Sequence, residues 1–379
     1  MTHGGIESNT PENTPGERSR RDILKWFGVG GGVAAASMAL AACKGAQSGS
    51  GDGGGSSSTG NFPKPSEKWK FVFVNHVTTN SFFTPTQNGI KDAAAMLGVS
   101  YQWTGSETGN VSEMASAVDT AINGGAHGIA IALTDNNAFK DGCKTAFSKG
   151  IPVIAYNATA AGNYALCYVG QDLYQSGYMM GQKIVSEVKS GDIIVGIAQP
   201  GANNLQPRMN GIKDAIKDAN ASITVHEVNT GAEQAGELNA MEAAYAGRKS
   251  AKGVYAVDAG STASIAQMVE KQSLQGKFHA GGYDTLSDTI NGVGKGYLDF
   301  TIDQSAYLQG FLPVLYLYLY RMSGTLVHPP ETDTGLTFVT KDNVSQYTAS
   351  QSAYEGASSK RALKFPSSLP LPTPLVVSN

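Results

Sequence analysis

A regular alternation of short β-rich runs with helical patterns most constrains how this 379-residue chain can fold. Runs rich in Val, Ile, Tyr and Phe are typical of strands, and segments with helical spacing of apolar residues separate them. This alternation favours βαβ units, in which helices cover both faces of a parallel sheet. We predict strands at 70–75, 99–104, 128–133, 152–156, 168–170, 193–198, 223–229, 253–257 and 278–283, and helices at 85–97, 111–123, 139–149, 173–189, 209–219, 234–246, 261–271 and 307–322.

The pattern begins again after residue 170, which indicates two similar halves. The hexapeptide Asn-Gly-Ile-Lys-Asp-Ala at 88–93 recurs at 210–215, in the first long helix after the first strand of each half. We therefore predict an α/β fold of two similar doubly wound parallel-sheet lobes joined by a three-crossing hinge. The crossings are predicted near 170, 304–305 and 333–336, which places helix 307–322 on the first lobe.

The composition predicts a folded body between two irregular segments. Residues 43–61 are almost all Gly, Ser and small polar residues, which cannot bury apolar surface and therefore predict a flexible tether. Residues 350–379 are rich in Ser and Pro and are predicted to form a disordered tail. The body between them is large for one hydrophobic core and suits two domains. The predicted first lobe is 62–170 plus 305–334, and the second is 171–304 plus 335–349.

Two motifs near the N-terminus predict export and lipid attachment. The sequence Ser-Arg-Arg-Asp-Ile-Leu-Lys at 19–25 resembles a twin-arginine export signal, and the apolar run after it is too short to span a bilayer stably. That run ends in Leu-Ala-Ala-Cys, which resembles a lipobox. We predict that 1–42 is a removed signal and that Cys43 carries lipid, outside the cytoplasm on a bacterial cell membrane. The alternative is an uncleaved membrane anchor with a chance cysteine.

Charge and cysteine content narrow the classes of partner. The formal net charge is −3 and no basic stripe follows the signal, so we predict no nucleic-acid partner. No Cys-x-x-Cys, His-Glu-x-x-His or acidic loop with metal-ligand spacing occurs, so we predict no metal and no cofactor. Cys143, in a predicted helix, and Cys167, in a predicted strand, could form a disulfide. We favour the alternative that they are two separate buried thiols.

The carboxyl ends of the predicted strands carry the candidate site residues. Ligands of open parallel sheets bind beyond these ends, and two such lobes create a cleft there. Polar or aromatic residues follow equivalent strands in both lobes, as a ligand held between them would require. The candidates are His76, Asn80, Phe82, Phe83 and Asn157 in the first lobe and Arg208, Asp258, Asp284 and Gln304 in the second.

Several of these candidates also have a purely structural interpretation. Phe82 and Phe83 could belong to the core of the first lobe. Asp284 could cap the helix that follows it, and Arg208 could pair with surface acids. His76 could be an ordinary loop residue.

Four sequence blocks, in the same order and spacing, resemble those of type I periplasmic sugar-binding proteins of ABC transporters, close to the ribose-binding group. The first block is Asn-Ser-Phe-Phe at 80–83, where the family usually shows Asn-Pro-Phe-Phe. The others are Ile-Pro-Val-Ile at 151–154, Gly-Tyr-Asp at 282–284 and Thr-Ile-Asp-Gln at 301–304. The resemblance covers about residues 70–347.

This resemblance implies ligand-binding roles for all nine candidates. His76 stands where a small polar residue is usual, and Asp258 stands where Asn is frequent. Two departures concern the sugar's identity: Ala158 replaces an arginine of ribose binders, and 231–233 lacks the second-lobe aromatic residue that covers the other sugar face. The remaining candidates match the family's ligand positions: Asn80, Phe82, Phe83, Asn157, Arg208, Asp284 and Gln304.

The implied function is that of a monomeric, non-enzymatic solute-binding protein that delivers a neutral monosaccharide or sugar alcohol to the permease and ATPase of an ABC importer. The side chains suit such a ligand, because Asp and Asn accept hydrogen bonds, Arg donates them in a planar fork and Phe covers an apolar C–H face. We expect Arg208 to be the donor beside the two carboxylates. The alternatives are a receptor component that presents a sugar or sugar-like signal to a membrane sensor and, more remotely, an enzyme acting on a carbohydrate.

Overall fold

Two six-stranded sheets organise residues 67–325 and 329–348, which are the residues described by a computed structural model of the chain. The predicted signal, Cys43, the tether and the C-terminal tail lie outside them. The strands are β1 (Lys70–Asn75), β2 (Ser100–Gly105), β3 (Gly128–Ile131), β4 (Val153–Tyr156), β5 (Tyr168–Gly170), β6 (Ser190–Ile197), β7 (Ser222–Asn229), β8 (Gly253–Ala256), β9 (His279–Tyr283), β10 (Phe300–Asp303), β11 (Glu331–Asp333) and β12 (Thr337–Thr340). The helices are α1 (Thr84–Leu97), α2 (Val111–Asn123), α3 (Lys140–Ser148), α4 (Leu173–Val188), α5 (Gln206–Asp218), α6 (Gln234–Gly247), α7 (Ala259–Gln272), α8 (Ser287–Lys295), α9 (Ala306–Ser323) and α10 (Ser345–Thr348).

Both sheets have the strand order of a doubly wound fold. The first has the order β11-β5-β4-β3-β1-β2, with parallel pairs throughout. The second has the order β12-β10-β9-β8-β6-β7, in which β12 runs antiparallel to β10 and the other pairs are parallel. Strands β3, β4 and β8 are buried along their whole length, as expected when helices cover both faces. The predicted α/β fold of two parallel-sheet lobes is confirmed.

The chain passes between the lobes three times. It leaves the first sheet after β5, returns after β10 and leaves again between β11 and β12. Helix α9 follows the second lobe in sequence, but its residues Val314, Leu317 and Tyr318 belong to the apolar core of the first. Although α9 has 18 residues, no helix in the described ranges is both long enough and apolar enough to cross a membrane.

In the first lobe, α1 and α9 pack so closely that two glycines are required at their contact. A methyl group added to Gly89 of α1 would overlap the carbonyl oxygen of Tyr307, and one added to Gly310 of α9 would overlap that of Thr86. The hydroxyl of Tyr307 also donates a hydrogen bond of 2.9 Å to Asp92. The absence of side chains at both glycines therefore sets the distance between the two helices.

The second lobe repeats this arrangement with α5 and α4. A methyl group on Gly211 of α5 would overlap the carbonyl oxygen of Tyr174, and one on Gly177 of α4 would overlap that of Arg208. The hydroxyl of Tyr174 donates a hydrogen bond of 2.9 Å to Asp214. Gly89 and Asp92 in one lobe, and Gly211 and Asp214 in the other, are the matching residues of the repeated hexapeptide. The repeat therefore encodes one helix-packing contact, used once in each lobe.

Replacing Gly211 by alanine should lower the free energy of unfolding by about 1–3 kcal/mol, because the added methyl group must displace backbone atoms of α4. Gly294 of α8 is a matched control: it is also helical, and a methyl group there meets nothing within 4 Å. Gly294→Ala should leave stability unchanged or raise it by up to about 1 kcal/mol. Urea unfolding of both variants checks this, and equal midpoints for the two would contradict the packing argument.

The structure departs from the sequence-based expectations in a few elements. Helices α8 and α10 and the short edge strands β11 and β12 were not predicted as elements, and α5 begins at Gln206 rather than 209. Pro207 lies in the first turn of α5, where a missing N–H has no consequence and the fixed φ suits a helix. Cys167 lies one residue before β5 rather than in it. Cys143 and Cys167 are free and buried, and burial raises the pKa of the Cys143 thiol to about 11.

Candidate functional site

One cavity between the lobes is lined by all nine residues predicted from the strand ends. The space free of atoms within and at the mouth of this cavity is about 560 Å³, a figure that includes open solvent. The first-lobe members follow β1 and β4, and most second-lobe members follow β8, β9 and β10, whereas Arg208 is in the first turn of α5. The structure thus brings the predicted residues together, while their ligand-binding roles stay a prediction.

The first-lobe wall is aromatic and begins with a short turn of helix at Ser81–Phe83. The side chain of Asn80 caps this turn by accepting a hydrogen bond of 2.9 Å from the Phe82 N–H. Phe83 is buried in the core of the lobe, and Phe82 packs edge-on against it with ring centroids 4.7 Å apart. Phe82 is half-buried, so it is the ring with more surface to offer a ligand.

His76 lies between this aromatic wall and the second lobe. Its ring packs edge-on against Phe83, and its Nε2 is 3.2 Å from Nδ2 of Asn204, which belongs to the second lobe. Burial lowers the pKa of His76 to about 4, because a charged imidazole would lose its hydration. His76 is therefore a neutral hydrogen-bonding group that bridges the cleft, not an ordinary loop residue.

Asn157 and Asp284 occupy equivalent places in the two lobes, one residue after β4 and one residue after β9. Both have positive φ values, 61° and 75°, in the left-handed region that Asn and Asp tolerate better than most residues. Burial raises the pKa of Asp284 to about 7, although the nearby Arg208 acts to lower it. Asp284 does not cap α8, because its Oδ1 accepts a hydrogen bond of 2.6 Å from Gln304.

A chain of amide groups joins these two residues through the hinge. Asn157 Nδ2 donates to Gln309 Oε1 at 3.1 Å, and Gln309 Nε2 donates to Gln304 Oε1 at 3.0 Å. Gln304 then donates to Asp284, which closes the path from the first lobe to the second. Gln309 Nε2 also lies 3.3 Å from Thr334 Oγ1, on the third crossing. The residues at the two sides of the cavity are therefore held by the segments that connect the lobes.

Arg208 is 3% exposed and lies above the ring of Tyr283, with its guanidinium carbon 4.1 Å from the ring centroid. Its Nη1 donates to the carbonyl of Val257 at 3.0 Å, and its Nη2 donates to Gln171 Oε1 at 3.1 Å. Arg208 forms no ion pair within the described ranges, with surface acids or with the cavity carboxylates. The expectation that it donates directly to the carboxylates is wrong, because backbone and amide groups hold both of them.

Asp258 faces the cavity from the start of α7. Its Oδ1 accepts from the Ser261 N–H at 2.8 Å, which caps the helix, and its Oδ2 accepts from the Ala198 N–H at 3.0 Å. Beside it lies Glu237 of α6, which is 3% exposed and lines the same cavity. Burial, the Asp258 charge and a hydrogen bond between the two carboxyl groups raise the pKa of Glu237 to about 9. Near neutral pH the pair therefore consists of one carboxylate and one neutral carboxyl group.

The polar walls are incompletely satisfied by the protein. Four buried polar atoms on this cavity have no hydrogen-bond partner among residues 67–325 and 329–348: His76 Nδ1, Asn157 Oδ1, Arg208 Nε and Glu237 Oε2. Buried polar groups in native proteins almost always have partners, and each exception needs an explanation. Their convergence on one cavity, next to an aromatic wall, is the pattern of a site for a small polar molecule.

The second-lobe loop between β6 and α5 hydrogen-bonds to the first lobe across the cleft. Asn203 donates through its backbone N–H to Thr134 O at 2.9 Å and through Nδ2 to Leu133 O at 3.0 Å. Gln199 Nε2 donates to Gly109 O at 3.3 Å. The lobes are thus in contact on both sides of the cavity, as in a closed arrangement.

A family model for the periplasmic binding protein domain matches residues 71–323 of this chain. This chain belongs to that family. The xylose/arabinose-binding protein XylF of Sulfolobus acidocaldarius is 45% identical over 306 residues, which cover 76% of this chain and 75% of that protein. These relatives carry names of binding proteins rather than of enzymes.

Solved structures of solute-binding proteins share the fold. An ABC transporter solute-binding protein from Burkholderia graminis, in complex with D-arabinose, is 27% identical with a TM-score of 0.70 and covers 75% of this chain and 99% of that chain. A carbohydrate transporter solute-binding protein from Agrobacterium radiobacter, in complex with D-arabinose, is 21% identical with a TM-score of 0.70. It covers 76% of this chain and 99% of that chain.

In this periplasmic binding protein the prediction from strand ends missed nine of the residues that line the cavity, and four of them are informative: Gln199, Asn204, Ala232 and Glu237. Gln199 and Asn204 lie in the polar loop after β6, and the position of that loop beyond a strand end could have identified them. Glu237 lies in a helix, where no strand-end signal points to it. Ala232 lines the cavity in the segment where the aromatic residue is missing, and it packs on the apolar core of the first lobe. A small residue therefore closes this side of the cavity, where the resemblance to sugar-binding proteins had implied an aromatic one.

One group of side chains in the described ranges has the spacing of metal ligands: Glu187, His279 and Asp299. It lies at the amino ends of β9 and β10, at the opposite edge of the sheet from the cavity. His279 Nδ1 and Asp299 Oδ2 are 3.0 Å apart, and Lys252 and Lys277 line the same depression. Glu187 also pairs with Lys183 at 2.9 Å, so each of the three side chains has a partner among the described residues.

Proposed function

We propose that this chain is an extracytoplasmic solute-binding protein that captures a neutral monosaccharide, of the aldopentose class, between its lobes for an ABC importer. The observation that carries the proposal is the set of four unpartnered polar atoms facing one cavity with Phe82 at its side. Sugar hydroxyls donate and accept hydrogen bonds, so they can satisfy a neutral imidazole, an amide oxygen, a guanidinium N–H and a carboxyl group together. The names and bound ligands of the relatives support the pentose class.

The nine predicted residues have distinct roles in this proposal. Asp258, Asp284 and Asn157 accept hydrogen bonds from sugar hydroxyls, and Arg208 donates through Nε. Phe82 covers an apolar C–H face. Four residues make polar contacts with the sugar or support the site: His76, Asn80, Phe83 and Gln304.

Ligand titration tests this function directly. The purified protein is titrated calorimetrically with D-xylose, D-arabinose, L-arabinose, D-ribose, D-glucose and xylitol, and its thermal unfolding is recorded with each sugar. A ligand that binds only the folded state adds RT ln(1 + [L]/Kd), or about 4 kcal/mol at a concentration of 1,000 Kd. We expect at least one aldopentose to bind and to raise the Tm. Failure of every sugar in the panel to bind would refute the proposal.

Closure would couple binding to delivery. Only the closed arrangement lets both lobes contact one small molecule, so the ligand favours that state over an open one. The closed form would then be recognised by the permease and ATPase, and the sugar would be released chemically unchanged. The lobe boundaries in this proposal are 62–170 plus 305–334 and 171–304 plus 335–349.

Replacing Cys43 by serine should release the protein from the membrane or block its processing, because Ser cannot carry the thioether-linked lipid that we propose as its anchor. Fractionation of cells that express the wild type and the Cys43→Ser variant measures this. Cys143→Ser, a buried cysteine remote from the signal, is the control and should stay in the membrane fraction. A Cys43→Ser protein that is correctly cut and still membrane-bound would disprove lipid anchoring.

A further inference from the structure

We propose that Asn203, in the loop between β6 and α5, is a positioning residue that latches the two lobes together and raises the affinity for every ligand of the cavity without contacting any of them. This inference rests on the proposed sugar-binding function and concerns how the closed arrangement around that site is held. The loop belongs to the second lobe, and three of its N–H donors reach backbone carbonyls of the first lobe.

The latch consists of these three hydrogen bonds across the cleft. Asn203 donates from its backbone N–H to Thr134 O at 2.9 Å and from Nδ2 to Leu133 O at 3.0 Å. Gln199 Nε2 donates to Gly109 O at 3.3 Å. Since a carbonyl oxygen can only accept, the acceptors fix the orientation of both side-chain amides. The latch therefore depends on the backbone path of the first lobe and not on its side chains.

The first lobe leaves room for the latch at Gly109. The φ of this residue is 79°, in the left-handed region that glycine adopts without steric cost. A methyl group there would lie 2.8 Å from both Nε2 and Oε1 of Gln199. A side chain at this position would therefore strain the backbone and crowd the amide that donates to it. The surface that receives the second-lobe loop is thus shaped for close contact.

The latch lies away from the hinge, where closure brings the lobes together. Leu133 and Thr134 follow the central strand β3, and Gly109 follows the edge strand β2. The hinge strands β5 and β11 are at the opposite edge of the same sheet. Rotation about the hinge separates the distant parts of the two lobes most, so opening breaks these bonds and closure forms them. The latch therefore stabilises the closed arrangement alone.

Asn203 acts on the lobes rather than on the sugar. It is not among the residues that line the cavity, and it lines instead a separate depression together with Gly170 and Asp333 of the hinge crossings. The apparent Kd equals the intrinsic Kd divided by the fraction of protein that is closed. A residue that shifts only this fraction changes the affinity for all ligands by one common factor. Asn203 therefore sets how tightly a sugar is bound, and not which sugar.

Calorimetric titration with several sugars tests the latch. Asn203→Ala removes the Nδ2 donor but keeps the backbone N–H, and it should weaken every sugar that the wild type binds by the same factor, up to about tenfold. Asn203→Asp places acceptor oxygens against the Leu133 carbonyl and should weaken binding further. The control is Asn291→Ala, which alters an exposed asparagine of α8 in the same lobe and should bind like the wild type. Weakening of one sugar but not of another would mean direct contact and would overturn the inference.

Hydrogen exchange in the absence of sugar measures the same equilibrium. The Asn203 N–H bonds across the cleft, so it is protected from exchange while the lobes are closed. Asn203→Ala should lower the protection of the N–H at residue 203 by about twofold to tenfold where the closed form predominates. Where the open form predominates, the same loss appears in the sugar affinity instead. Wild-type values of both quantities in the variant would overturn the inference.

The exchange experiment also separates the latch from the proposed function, because it needs no ligand. If the wild type binds none of the sugars, the proposed function fails, and protection at residue 203 alone decides on the latch, with unchanged protection refuting it. If the wild type binds a sugar and Asn203→Ala matches it in affinity and in protection, the function stands and the latch is refuted.

Discussion

Arg208→Ala should weaken sugar binding by roughly 30- to 1,000-fold, which corresponds to about 2–4 kcal/mol. The substitution removes the one cation that lines the cavity in the residues described, together with its unpartnered Nε donor. It also removes the charge that opposes the effect of burial on Asp284, so the pKa of that carboxyl should rise above its present value of about 7. At neutral pH Asp284 would then be largely protonated and a weaker acceptor.

Calorimetric titration of the variant, with its unfolding recorded in parallel, measures this effect. Residual binding by Arg208→Ala should improve as pH rises above 7, because Asp284 then regains its charge. Arg208→Lys keeps the charge but loses the planar fork of donors. Its sugar affinity should therefore lie between those of the wild type and Arg208→Ala. Arg248→Ala is the surface control on the same lobe and should bind like the wild type. Unchanged affinity in Arg208→Ala would show that the sugar does not contact this side of the cavity.

Gln309→Leu should lower the free energy of unfolding by about 2–4 kcal/mol and weaken sugar binding at the same time. Gln309 is fully buried, and its amide accepts from Asn157 and donates to Gln304. Leucine fills a similar volume but leaves Asn157 Nδ2 and Gln304 Oε1 buried without the hydrogen bonds that Gln309 provides. Since Asn157 and Gln304 also line the cavity, the loss of their fixed orientation should reach the ligand.

Chemical unfolding and sugar titration of the same preparation measure the two effects together. Gln272→Leu, at the exposed C-terminal end of α7, makes the same chemical change away from the hinge and should be close to neutral. A Gln309→Leu protein with wild-type stability would mean that the amide chain contributes nothing. A destabilised variant with unchanged affinity would show that the chain supports the hinge but does not orient the site.

The sequence was enough to predict that the candidate residues lie together, because the carboxyl ends of parallel strands meet at one edge of a sheet; their ligand-binding roles stay a prediction. Asn157 and Asp284 are 127 residues apart in the chain, yet they follow β4 and β9, which are equivalent strands of the two sheets. The alternation of strands and helices was strong enough to identify both strands. No detailed contact was needed to expect that these residues face one cleft.

The contacts that hold the site could not be predicted in this way. Gln309 and Glu237 lie within helices, so their orientation depends on how each helix packs, which local sequence does not encode. Arg208 was placed correctly, but its partners are the carbonyl of Val257 and the amide of Gln171, which the three-dimensional path of the hinge brings near. Helix α8 was missed because it is short and contains two glycines, which weaken a helical pattern.

The position of α9 has a consequence for protein synthesis. The ribosome makes β1 to β5 first, but the face of α1 that carries Gly89 packs against α9, which emerges after the whole of 173–303. The matching contact of the second lobe meets no such delay, because α4 and α5 are neighbours in the sequence. The lobe that is translated first therefore stays incomplete until α9 has been made, although N-terminal domains usually fold first. Nascent chains that stop before residue 306 should leave the first lobe open to proteases while α4 and α5 are already protected.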